Sequence, residues 1–170
     1  MDTVILFVTA CAATEARRVE VAAVVQRTAP EHGTYRQVLA VDPAVAKVFA
    51  TWFPDIPQMS QCGGDYGERL SAVLHEATRH GGRAIVIGME SLEIDRETLA
   101  EAFAALETFD LVVGPTPEGG YYLLGGHRAE PRLFEGIAWG TETVCAALLA
   151  RATAGGVRTA LLRPRGGTES

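Results

Sequence analysis

Arg83-Ala84-Ile85-Val86-Ile87-Gly88-Met89-Glu90-Ser91 is the stretch on which the fold turns. Residues 84–87 are unbroken apolar, rich in β-branched side chains, preceded by Gly81-Gly82 and closed by Gly88. A run that short and that apolar predicts a strand buried on both faces, as in a parallel sheet covered by helices. Upstream, Gly63-Gly64-Asp65 opens a helix over 66–80, with Leu70, Val73, Leu74 and Ala77 on one face. Asp95 caps the next helix, 97–106, and residues 110–113 read as another strand. Glu118-Gly119-Gly120 is a tight turn into Tyr121-Tyr122-Leu123-Leu124, so this strand pair is antiparallel or forms a reversed edge. A loop leads to 133–139, a long helix runs from Thr141 or a neighbour to 154, and 157–162 is a final strand.

Towards the N-terminus, Val4-Ile5-Leu6-Phe7-Val8 is a second buried strand, followed by a helix over 14–26 and a strand over 35–41. Asp42-Pro43 supplies a cap and first turn for a helix over 44–53. Pro54 and Pro57 mark an irregular stretch to Gln61. The alternation predicts an α/β three-layer sandwich: a mostly parallel twisted sheet, helices on both faces, and one antiparallel element. The chain of 170 residues fits one domain, 1–165, with a loose tail over 166–170.

Composition narrows the function. Hydrophobic residues make up 48% and charged residues 21%, a globular balance, and the net charge of −6 argues against nucleic acid as a partner. No apolar run approaches the roughly 20 residues of a membrane span, and no basic lead precedes the first strand, so the expectation is a cytoplasmic protein. Cys11, Cys62 and Cys145 are odd in number and scattered, which indicates neither a disulfide framework nor a zinc site. Lys47 is the only lysine, so a phosphate would be met by arginine, backbone N–H groups or a metal. No nucleophile elbow, Walker loop or dinucleotide fingerprint is present, and the four histidines show no metal spacing.

In open α/β sheets, ligands sit beyond the carboxyl ends of the strands. That rule selects residues 9–14, 88–92 and 114–120. Glu90, after Gly88, is sited to hold Mg²⁺ or Mn²⁺ beside phosphate oxygens, or else it caps the turn. Gly119 and Gly120 allow close backbone approach to a ligand, and Glu118 either meets a sugar hydroxyl, takes a proton, or is an exposed turn residue. Arg69 lies just inside a glycine-led helix, within reach of a phosphate, while Asp65 and Glu68 read as a capping pair. Trp139 stacks on a substrate or packs in the core.

Together these segments resemble the small bacterial GT-A-like glycosyltransferases of the nucleotide-diphospho-sugar transferase superfamily, in particular the radical-SAM/selenodomain-associated type. The resemblance rests on Q-C-G-G-D-Y-G-E-R-L from Gln61, I-G-M-E-S-L from Ile87, G-P-T-P-E-G-G-Y-Y-L-L-G from Gly114, and L-F-E-G-I-A-W from Leu133. It covers residues 61–154 well and the first 60 poorly. It implies a Rossmann-like GT-A sheet and a metal-dependent transfer from a nucleoside-diphosphate sugar to a small acceptor. Glu90 would hold the metal, with Gly88 and Ser91 shaping its turn. Arg17, Arg18 and Arg69 would neutralise the diphosphate. Gly114, Glu118, Gly119, Gly120, Tyr121 and Trp139 would line the sugar or acceptor side, with Glu118 and Glu90 as the catalytic carboxylates.

Three departures stand out. Glu90 and Glu118 replace the family's usual aspartates. Cys11-Ala12-Ala13-Thr14-Glu15-Ala16-Arg17-Arg18 replaces a glycine and a Lys-Thr-Arg run after the first strand. Arg163-Pro164-Arg165-Gly166-Gly167 replaces an aspartate-rich end. A nucleotidyltransferase on the same fold, and a non-catalytic relative kept for binding or assembly, are therefore the alternatives. A homodimer is the assembly left open.

Overall fold

The computed structural model describes residues 1–88 and 93–166. Continuous apolar strands alternate with helices along the chain. The strands are β1 (Thr3–Val8), β2 (Arg36–Val41), β3 (Gln58–Ser60), β4 (Ala84–Gly88), β5 (Leu111–Pro115), β6 (Tyr121–Gly126) and β7 (Thr159–Leu161). The helices are α1 (Glu15–Arg27), α2 (Ala46–Trp52), α3 (Tyr66–Thr78), α4 (Arg96–Ala105), α5 (Pro131–Phe134) and α6 (Val144–Ala154). Two 3₁₀ turns, Ala10–Ala12 and Pro43–Val45, precede α1 and α2. The sheet order is β3-β2-β1-β4-β6-β5-β7, with β6 antiparallel to both its neighbours and the other pairs parallel. This is the predicted α/β sandwich. The reversed strand is not an edge: β6 lies between β4 and β5.

Strand side chains alternate between two cores. Val4, Leu6, Val8, Ile85 and Ile87 pack with Val21 and Val24 of α1 and Leu99 of α4. Ile5, Phe7, Val86 and Leu124 pack with Leu70 and Leu74 of α3 and Leu148 of α6. Each fully buried side chain contributes about 1.5–3 kcal/mol, which is why β1 and β4 carry no polar residue between Val4 and Val8 or between Ala84 and Ile87.

The structure corrects three expectations. The stretch read as irregular before Gln61 contains β3, a three-residue edge strand. The helix expected over 44–53 divides into the Pro43–Val45 turn and α2. The last helix begins at Val144, because residues 141–143 form a turn. Local capping holds as expected: Asp42 accepts from the Ala44 N–H, and Asp65 from the Glu68 N–H. Glu68 reaches back to the Gly64 N–H at 2.6 Å, one residue before the position of a standard capping box. Buried Gln61 donates its amide to Val8 O at 2.7 Å and Ala40 O at 2.8 Å, tying β1 to β2 at their carboxyl ends.

Candidate functional site

Strand register places the site. Phe7 of β1 stands opposite Gly88 of β4, and Ile87 opposite Leu123 of β6. The ends of β1 and β4 and the start of β6 therefore meet at one rim, where a cleft of about 560 Å³ opens.

One wall comes from the β1–α1 connection through Thr9, Ala12 and Arg17. Thr9 and Thr14 both take extended N-cap geometry without a side-chain cap, so the first amides of the 3₁₀ turn and of α1 receive no side-chain acceptor there. Arg17 is held by Glu20, with Nε 2.7 Å from Oε2.

The opposite wall is the β5–β6 turn together with residues 139–144. Thr116 N–H donates to Gly120 O, and Thr116 Oγ1 accepts from the Gly120 N–H, both at 3.0 Å. Gly119 has φ +91°, and its carbonyl accepts from the Cys145 N–H at 2.9 Å. A Cβ on Gly119 would fall on the Glu142 carbonyl, 2.6 Å from its carbon. The two segments are thus locked backbone to backbone, and the lock brings Glu118 and Glu142 to one wall. Neither carboxylate has a side-chain partner among the described residues.

Aromatic rings join the walls. Tyr66 packs against Phe7 at 5.1 Å and Trp139 at 4.9 Å between centroids, and its hydroxyl lies 3.1 Å from that of Tyr121. Burial, with the Tyr66 hydroxyl beside it, pushes the Tyr121 phenol well above its ordinary value. It therefore works as a neutral hydrogen-bonding group rather than a base. Gly67 lets the indole lie on α3: a Cβ there would meet Trp139 Nε1 at 3.1 Å and Phe134 O at 2.5 Å.

Of the residues read from sequence, Arg17, Gly88, Glu118, Gly120, Tyr121 and Trp139 line the cleft, and Gly119 forms the lock beside it. Three others sit elsewhere. Arg18 pairs with Glu15 at 3.1 Å and lies over the Trp52 ring at 5.7 Å. Arg69 faces Asp42 at 3.4 Å. Gly114 makes room for the Tyr122 ring. Glu90 and Ser91 lie outside the described residues. Sequence reading missed Glu142, Thr141, Phe7 and Tyr66, while Thr9 and Thr116 lie in the segments it selected. Thr141-Glu142-Thr143 was absorbed into a helix, whereas Thr141 Oγ1 donates to Ala138 O at 2.6 Å and shapes a turn.

Among the described residues no three His, Cys, Asp or Glu side chains cluster for a metal. Among the described residues, the side-chain groups of the cleft that could ligate a metal are oxygens: the Glu118 and Glu142 carboxylates, the Thr9, Thr116 and Thr141 hydroxyls and the Tyr66 and Tyr121 phenols. Such a set suits a hard Mg²⁺ or Mn²⁺ completed by phosphate oxygens, and not a soft-ligand metal. In place of an acidic end, the segment after β7 runs on beside β5, with Leu162 N–H to Val113 O and Arg165 N–H to Pro115 O. Among the described residues, no helix is long and apolar enough to cross a membrane.

A family model described as "Uncharacterized protein conserved in bacteria (DUF2064)" matches residues 5–141. No curated protein matches the chain in sequence. Among solved structures, a provisionally named nucleotide-diphospho-sugar transferase from Desulfovibrio desulfuricans G20 is 22% identical, with 99% of this chain and 82% of that one covered at a TM-score of 0.85. The 4-diphosphocytidyl-2C-methyl-D-erythritol synthase of Anaerococcus prevotii DSM 20548 is 8% identical, covered over 100% and 89%, at 0.67. A CMP:2-keto-3-deoxy-manno-octonic acid synthetase complexed with CTP is 12% identical, covered over 99% and 93%, at 0.62. At these identities the likeness is one of fold.

Proposed function

The chain belongs to the bacterial DUF2064 family, and with that membership as premise we propose that it is a transferase passing a sugar from a nucleoside diphosphate to a small acceptor. The observation that supports this reading most is the division of the rim cleft: among the described residues, a side bearing Arg17 faces a side of aromatic rings and two carboxylates that have no side-chain partner. The first suits a diphosphate, and the second suits hydroxyl groups.

Arg17 receives the phosphates in place of the missing lysine loop. Glu90 would hold Mg²⁺ or Mn²⁺. When bound, that ion offsets the charge that gathers on the departing diphosphate. The charge balance supports such help, because Arg17 already shares its charge with Glu20 while Glu118 and Glu142 add negative charge. Gly120 and Gly88 let backbone approach the ligand, and the Tyr66–Trp139 pair supplies a ring face for the sugar.

Calorimetric titration with a panel of sugar nucleotides, with and without Mn²⁺, tests the proposal. The expected result is metal-dependent binding of at least one member, which Glu90→Ala weakens only when metal is present. Absence of binding to every member, or binding indifferent to metal, refutes it. Cytidylyl transfer is the second reading, favoured by the likeness to the CTP-complexed synthetase. Product analysis separates the two, since it releases pyrophosphate from a triphosphate instead of a nucleoside diphosphate from a sugar nucleotide.

A further inference from the structure

The charges in the cleft are sorted by wall. Its arginine lies on the β1–α1 side and is engaged by Glu20, whereas Glu118 and Glu142 stand together across from it with no cation beside them among the described residues. Between them run the rings of Tyr66 and Trp139, whose faces carry partial negative charge and favour C–H groups and cations over anions. Among the described residues, no cationic side chain lines that half of the cleft. The lock at Gly119 fixes the backbones of the two turns bearing them, which are joined through Cys145 N–H and Gly119 O.

We propose that this half of the cleft selects an acceptor carrying hydroxyl or amino groups and no anionic group, an uncharged polyol or an amino sugar in type, with Glu118 and Glu142 as the residues that enforce the choice. The inference rests on the transferase reading and narrows its second substrate. It also separates this chain from enzymes whose second substrate is phosphorylated or acidic, because such a substrate would meet two carboxylates at close range. Hydroxyl and ammonium donors gain charge-assisted hydrogen bonds from the same two groups. A sugar's C–H face then rests on the Trp139 ring, leaving its polar edge towards the carboxylates.

The protein has two tryptophans, Trp52 and Trp139, and Trp52 sits away from the cleft over α2, so Trp52→Phe leaves Trp139 as a sole fluorescent reporter. In that variant, glucosamine, glucose, a glucose phosphate and glucuronate are titrated at matched ionic strength. Glucosamine and glucose are expected to change Trp139 emission, while the phosphate and the acid bind at least about tenfold more weakly at low ionic strength, as repulsion of about 1 kcal/mol from each of two exposed carboxylates implies. Replacing both carboxylates, Glu118→Gln with Glu142→Gln, should shrink that gap to about threefold or less. An anionic probe that binds as tightly as its neutral counterpart overturns the proposal. So does a gap that survives the double substitution, or an emission deaf to all four probes. Sugar-nucleotide binding, followed by calorimetry in the same variant, reports separately on the transferase reading: if it persists while the discrimination fails, only the acceptor assignment falls.

Discussion

Gly119→Ala would force apart the two segments that carry Glu118 and Glu142. At φ +91° an L-residue costs about 1–2 kcal/mol in backbone strain alone. The new Cβ would also fall on the Glu142 carbonyl, 2.6 Å from its carbon and 3.0 Å from its Cα, atoms with no flexible end to move aside. Relief requires the 140–145 turn to retreat. That retreat breaks the Cys145 N–H to Gly119 O bond, worth about 0.5–1.5 kcal/mol, and adds overpacking strain of about 1–3 kcal/mol. Together these come to about 2.5–6.5 kcal/mol. For a domain of this size that lowers Tm by roughly 5–25 °C. Gly140 makes the matched control. Its φ is +78°, but a Cβ there meets nothing within 4 Å, so Gly140→Ala should cost only the backbone strain. Thermal denaturation of both variants, followed by circular dichroism, decides the matter. Equal losses from the two substitutions would refute the claim that the turns are locked at Gly119.

Gln61→Leu leaves the carbonyls of Val8 and Ala40 without their shared donor, and should cost about 2–4 kcal/mol in urea denaturation with the m-value unchanged. Arg17→Ala should weaken sugar-nucleotide binding about tenfold or more by calorimetry, whereas Arg18→Ala and Arg69→Ala should change it less than threefold, since those guanidiniums serve Glu15, Trp52 and Asp42. Burial pushes the Asp2 carboxyl up, but the Arg83 fork and amide outweigh this and hold it below its ordinary value. A carboxyl held low stabilises the fold above its unfolded value near pH 4 and loses that contribution as pH falls through the folded value. Asp2→Asn should therefore be about 1–3 kcal/mol less stable than the parent at pH 7, with the difference vanishing in acid when followed by urea denaturation across pH.

The sheet was readable because its central strands are apolar at every position. Burial on both faces removes alternation, and residues 84–87 and 4–8 have no other plausible home. Strand β3 was not readable. Gln58-Met59-Ser60 is a short, half-exposed edge, paired on one side only, and its three residues show no pattern that distinguishes a strand from a loop. Caps at Asp42, Asp65 and Asp95 were legible because the donor and acceptor lie within three residues. Arginine roles were not, since they depend on which acid the fold delivers: Arg69 meets Asp42 from 27 residues away. Glu142 escaped notice for a related reason. Its neighbours have ordinary helix-starting chemistry, and only the bond from Cys145 to Gly119 shows that residues 140–143 belong to the rim.

Because β6 runs against its neighbours, the rim is fed by chain that leaves strands on one side and enters a strand on the other. The half bearing Arg17 comes from residues 9–17 and the end of β4, while the half bearing Glu118 and Glu142 comes from 116–121 and 139–144. The molecule is in effect a socket with two separately encoded inserts. Transplanting the paired segments 116–121 and 139–145 from a relative, always as a couple so that the joint between them survives, should change what is modified without changing which activated donor is accepted.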